Sequence, residues 1–179
     1  GIFSYNDIAD ELSPFLLMDY AGPADFPATT RKLGVGQHPH RGFETVTIVY
    51  EGGVSHRDSS GGGGTIGPGD VQWMTAASGL LHEEYHSPDY AAKGGPFEMV
   101  QLWVNLPRSD KLTTPRYQDL AADRTTLLSS PDGGALVRVI AGDVAGHQGP
   151  GSTHTPMAMV HASIAPGARL DLPWCSDFN

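Results

Sequence analysis

The sequence has one cysteine, Cys175, in 179 residues. A single thiol excludes a disulfide framework and any zinc module built from several cysteines. With no histidine close by in sequence and a proline break beside it, Cys175 is expected to be a structural or incidental thiol. Positive charge is also scarce. Eleven Lys and Arg face 20 Asp and Glu, for a net charge of −9, which argues against direct contact with DNA, RNA or an anionic membrane, since binding phosphates requires clustered cations. Charged residues of either sign make up only 17%, against roughly 25% in an average domain. No apolar run approaches the ~18 residues of a membrane span, and the N-terminal segment lacks the basic-then-apolar pattern of a secretory signal. These absences point to a soluble protein of a reducing compartment, expected in the cytoplasm.

Turn-forming residues, by contrast, are plentiful: 23 Gly and 14 Pro, the composition of many short strands joined by tight turns. Residues 14–20 form a short apolar run ahead of a Gly-Pro break, and the rest of the first 36 residues looks irregular. From Phe43 to Tyr50 the chain is dense in β-branched and aromatic residues, and Gly52-Gly53 ends the run. Val54–Asp58 reads as the return strand of a hairpin. Gly61 to Gly64 reads as an exposed loop, without the Lys-Ser/Thr and the helix of a phosphate-binding loop. Strands are then expected at 71–74, 80–86 and 97–106. This spacing is that of a sandwich or barrel, so the fold class is all-β.

Residues 107–128 show no sustained alternation and read as a connector with one short helix. The β pattern resumes at 135–140, 157–164 and 168–172, with a loop at 142–156. Two β units are therefore expected, a first at 1–133 and the start of a second at 134–179. The second cannot close a barrel within the residues given, and the chain starts at Gly1 without an initiator Met. Both features predict a piece of a longer two-domain protein, truncated at both ends.

Three of the eight histidines have spacing that matters. His38 and His40 are two residues apart, so in an extended chain both imidazoles point to one face. His82 and Glu84 repeat that relation on another expected strand, with Glu83 pointing away. If the two strands face each other inside a barrel, three neutral imidazoles and a carboxylate converge. Such a set suits Fe(II), Mn, Co, Ni, Cu or Zn and leaves positions open for substrate or O2. Glu44 is a rival carboxylate, four residues after His40, and parity alone does not choose between Glu44 and Glu84. His56 and His86 are expected to be solvated or at the surface. His147, His154 and His161 are too dispersed for a compact site. Ser78 lacks a nucleophile elbow. Trp73, Phe97 and Trp103 are read as core, with room for one or two of them to line a pocket.

The stretch His38-Pro39-His40-Arg41-Gly42-Phe43-Glu44-Thr45-Val46 resembles the signature of the pirin family, a branch of the cupin superfamily. So do residues 64–76, the Gly79-Leu80-Leu81-His82-Glu83-Glu84 that follows, Gln101 to Leu106, and Tyr117-Gln118. The likeness extends from about Pro14 to the last residue. It implies a bicupin, two β-barrel domains of which the second is incomplete here, with one metal, usually iron, in the first. It also implies His38, His40, His82 and Glu84 as metal ligands, and a structural role for Glu44.

Two functions follow from the resemblance. Some bacterial pirins look like quercetin 2,3-dioxygenases, in which a flavonol's 3-hydroxyl is deprotonated and bound at the metal, O2 is taken up, and the heterocycle opens with loss of CO. Glu84 would be the catalytic base. Other pirins look like regulators, whose iron redox state alters a surface recognised by a transcription factor or an enzyme subunit. A deep apolar cavity above the metal, lined by residues such as Phe43 or Trp103, would favour the enzyme.

Overall fold

The computed structural model describes residues 1–174, so Cys175 lies outside the described residues. The chain divides into two compact units, Gly1–Asp119 and Leu120–Asn179. In the first, strands β1 (Phe15–Phe26), β2 (Gly34–His40), β3 (Phe43–Glu51), β4 (Val54–Asp58), β5 (Gly63–Ile66), β6 (Val71–Thr75), β7 (Leu80–His86), β8 (Gly95–Asn105) and β9 (Arg116–Leu120) form two sheets, with one short helix, α1 (Pro88–Lys93), between β7 and β8. One sheet runs β1-β8-β3-β6-β9 and the other β2-β7-β4-β5. Side chains of the two sheets meet face to face: Gln101 of β8 bonds Glu84 of β7, and Trp103 of β8 lies edge-on to His40 of β2. The β-branched run of β3 sits at the centre of its sheet and is buried from Glu44 to Val49, with Trp73 and Met74 of β6 fully enclosed beside it.

Several sequence expectations are corrected here. The first 36 residues contain the whole of β1, longer than the expected short run, and the start of β2. β1 continues through Gly22-Pro23 because it is an edge strand with a register irregularity between Ala21 and Ala24, a place where proline's missing N–H costs no ladder bond. The Gly61–Gly64 loop is half strand, since Gly63 and Gly64 pair with Arg57 and His56. Helix α1 replaces an expected loop. Ser87 accepts a bond from the Tyr90 N–H, Pro88 stands in the first turn, and Gly94 closes the helix at φ +69°.

The stretch read as a connector contains strand as well as the expected short helical turn. It carries β9, a 3-10 turn at Ala122–Arg124, and β10 (Thr126–Ser129), which pairs with β11 (Ala135–Ala141). The second unit accordingly begins before residue 134. It holds an antiparallel sheet of β10, β11 and β14 (Met159–Ile164), and a small hairpin of β12 (Asp143–Val144) and β13 (His147–Gln148) within the segment read as a loop. Residues 168–172, expected as a strand, are not one. Val137, Val139 and Ile140 are among this unit's buried residues.

Candidate metal centre

β2 and β7 pair antiparallel, with His38 opposite His82 and His40 opposite Leu80. The register slips by one residue between Val35 and His38. This bulge puts Val35, the cross-strand neighbour of Glu84, on the same face of β2 as His38 and His40, which strict alternation would forbid. Gly34 precedes the bulge at φ +146°, where an added Cβ would run into the carbonyl of Glu84. Only glycine fits there.

The imidazoles of His38, His40 and His82 come together, their ligand atoms all within 4.8 Å of one another. They are the only such group of His, Cys, Asp or Glu among the described residues. His38 donates through Nδ1 to the Gly36 carbonyl at 2.8 Å, so in the neutral ring that a metal requires Nε2 is the nitrogen with the free lone pair. The Nε2 atoms of His40 and His82 are 3.1 Å apart. Two nitrogens bound at about 2.05 Å to one ion are separated by about 2.9 Å at a right angle and about 3.3 Å at a tetrahedral one, so the observed spacing fits a shared ion. Burial pushes the His40 imidazole down to about 4 and His82, with His40 and His38 close by, to about 3. Both rings are therefore neutral at neutral pH, the state a metal ligand needs.

Glu84 is the carboxylate beside this cluster. Its Oε2 is 3.6 Å from His82 Nε2, and Gln101 Nε2 donates to both carboxylate oxygens, at 3.2 and 3.1 Å. The same amide nitrogen donates to Thr47 Oγ1, and Trp103 Nε1 donates to Gln101 Oε1 at 3.0 Å, fixing which way the amide points. Burial raises the proton affinity of Glu84, and the Gln101 bond and His38 partly oppose it. Glu83 points outward and pairs with Arg57 at 2.7 Å, as its parity predicts.

Glu44 lies elsewhere. Its neighbours across β3 are Thr75 and Val104, whereas Thr45 and Thr47 pair with Trp103 and Gln101. Alternation therefore sends Glu44 to the face of β3 away from the imidazoles. It is fully buried and accepts a 2.7 Å bond from the Thr75 hydroxyl. Parity counted from His40 could not show this, because the chain passes from one sheet to the other at Arg41-Gly42.

Two histidines depart from expectation. His56 is buried rather than solvated. It is the cross-strand neighbour of Glu84 and packs 5.0 Å from the Tyr117 ring. Neither of its ring nitrogens finds a hydrogen-bond partner among the described residues, and burial lowers its proton affinity. The Tyr117 hydroxyl is held protonated by burial and by the neighbouring Asp58 carboxylate. His86 is half-buried in an aromatic cluster with Phe26, Tyr90 and Phe97. Sequence reasoning favoured a solvated His56 and gave no role to Tyr117 or to the Gln101 amide. The His-x-Asp of β4 carried the signal, since antiparallel pairing sets His56 opposite Glu84 and Asp58 opposite His82.

Phe43 and Trp103 are not in the lining of either cleft described below. They stack on each other at 4.6 Å, and both stand edge-on to His40, with Tyr5 stacked on Trp103. A cleft of about 190 Å³ is walled by Ala21, Val35, Val54, Tyr85, His86, Phe97 and Met99, and Glu84 is also part of its lining. A larger groove of about 420 Å³ includes Lys32, Arg57, Glu83 and Tyr85 in its lining, but neither the clustered imidazoles nor Glu84.

The profile of the family described as Pirin matches residues 2–104. A Pseudomonas aeruginosa protein named "Putative quercetin 2,3-dioxygenase PA2418" is 60% identical over 175 residues, covering 97% of this chain and 61% of its own length. Human pirin is 40% identical over 166 residues, covering 90% of this chain and 52% of its own length. The crystal structure of a quercetin 2,3-dioxygenase from Acinetobacter baumannii superposes with a TM-score of 0.87 at 55% identity, over 89% of this chain and 56% of that one. The chain thus spans about half to three-fifths of these relatives, and its β architecture is cupin-like.

Proposed function

The chain belongs to the pirin family, and on that premise we propose that its first unit is a metal-dependent dioxygenase centre that opens flavonols such as quercetin with O2. His38, His40, His82 and Glu84 are the proposed ligands of one divalent transition metal, Fe(II) first, with Mn, Co, Ni, Cu and Zn compatible with the donor set. The observation that carries the reading is the conjunction of three converging imidazoles, two of them held neutral by burial, with a tethered carboxylate in the lining of a mostly apolar cleft. A bound ion would supply the Lewis-acidic, redox-capable point at which substrate oxygen and O2 meet.

The protein's own part is specific. Glu84 takes the proton of the 3-hydroxyl, a role for which its raised proton affinity suits it. Gln101, locked by Trp103, keeps that carboxylate aimed. The apolar walls of the cleft exclude water. All atoms of flavonol and O2 reappear in the ring-opened ester and CO. A cytoplasmic setting, without nucleic acid or membrane as partner, belongs to the same proposal.

The test is quercetin consumption with O2 uptake after anaerobic reconstitution with Fe(II), metal content being determined on the same sample. Turnover that is lost in Glu84→Gln while some metal is retained supports the assignment. Absence of turnover at full occupancy removes it, and the iron-dependent regulator that binds a protein partner becomes the reading to pursue.

A further inference from the structure

The cleft beside Glu84 is narrow in what it can hold. Its volume of about 190 Å³ is below the roughly 300–1,000 Å³ of sites that enclose a drug-sized ligand. It is close to the ~150 Å³ of an apolar cavity that takes up benzene. Five of its wall residues, Ala21, Val35, Val54, Phe97 and Met99 from β1, β2, β4 and β8, have no side-chain hydrogen-bonding group apart from the Met99 thioether, and Tyr85 of β7 adds an aromatic ring with one hydroxyl. A thioether and a phenyl ring are favourable neighbours for another aromatic ring. His86 adds a further ring, held 4.6 Å from Phe97, and Glu84 adds an acceptor for a hydroxyl.

We propose that this cleft seats a single aryl ring of the substrate, so that the substrate class is aryl-bearing enols and phenols that enter one ring deep. Their hydroxyl lies at Glu84 and their remaining rings stay outside the barrel. In a flavonol the pendant 2-aryl group has the matching size, whereas the fused bicycle does not. The identity of the substrate rests on the dioxygenase reading; the seating of the ring does not.

Fluorobenzene, followed by fluorine NMR on the metal-reconstituted protein, tests the seat without turnover. Val35→Trp fills the mouth at a residue that is 54% exposed, and Met99→Trp fills the interior. A saturable response in the wild type, weakened roughly tenfold or more in both variants, is expected from the loss of one ring's burial. In parallel, Val35→Trp should raise KM for quercetin about tenfold more than that for 3-hydroxychromone, which lacks the 2-aryl ring. No fluorobenzene response in the wild type, or one that both variants leave intact, overturns the seat. So does a KM that rises equally for the two substrates. A response with no quercetin turnover upholds the seat and overturns the dioxygenase reading instead.

Discussion

The three clustered imidazoles are held in different ways. His82 is fully buried and His40 nearly so, while His38 is partly exposed and oriented by the Gly36 carbonyl. Removing the central ring, His82→Ala, is expected to abolish tight metal binding, whereas Glu44→Ala should leave it largely intact because Glu44 faces away. Metal content after dialysis distinguishes the two, and equal loss in both would show the ligand set to be wrong. The same burial sets a pH dependence in the metal-free protein. His40 and His82 titrate near 4 and 3 when folded, against about 6.5 when unfolded. Between those values the unfolded chain binds more protons, so their contribution to stability is complete above about pH 6.5 and falls as the pH drops towards 4. Glu84, shifted upward, works in the opposite direction above its unfolded value, but it is one group against two. Urea midpoints of the metal-free protein should therefore decline from pH 7 to pH 5, and less steeply in His82→Gln.

At the level of elements, the turn between β2 and β3 carries the chain from one sheet to the other. Gly42 occupies it at φ +78°, with its carbonyl bonded by Lys111 Nζ at 2.8 Å. An added Cβ would come no nearer than 3.6 Å to Lys111, so Gly42→Ala tests backbone strain alone. It is expected to cost about 1–3 kcal/mol, read as a lower urea midpoint with metal binding retained. This turn also explains what was legible in the sequence. β3, β6 and β8 announce themselves through β-branched and aromatic residues, and β4 and β7 through their place between turns. β2 does not: Gly-Val-Gly-Gln-His-Pro-His has poor strand propensity and is held by its pairing with β7. The i, i+2 spacing of His38/His40 and His82/Glu84 was readable because each pair lies within one strand. The choice between Glu44 and Glu84, and the burial of His56, depended on which strands pair, and single-strand parity does not contain that information. Helix α1 left its capping signals in Ser87-Pro88 and Gly94, but a six-residue helix has no hydrophobic period to confirm them.

For the whole molecule, a ligand that binds only the folded state adds to its stability in proportion to occupancy. A metal at 100 times its Kd should contribute about 2.7 kcal/mol and raise the unfolding temperature by about 5–10 °C. Thermal scans with and without a chelator check this, and a shift independent of metal concentration would contradict it. The sheet order has a further consequence. Two of the three imidazoles sit on β2, an edge strand hydrogen-bonded on one side only, to β7, and the third lies on β7 inside the same sheet. Edge strands open at a lower free energy than the molecule as a whole. Release of the ion then requires only β2 to peel from β7, so exchange of the metal should be far faster than global unfolding. Amide hydrogen exchange along residues 34–40 would keep pace with it and slow sharply when the ion is bound.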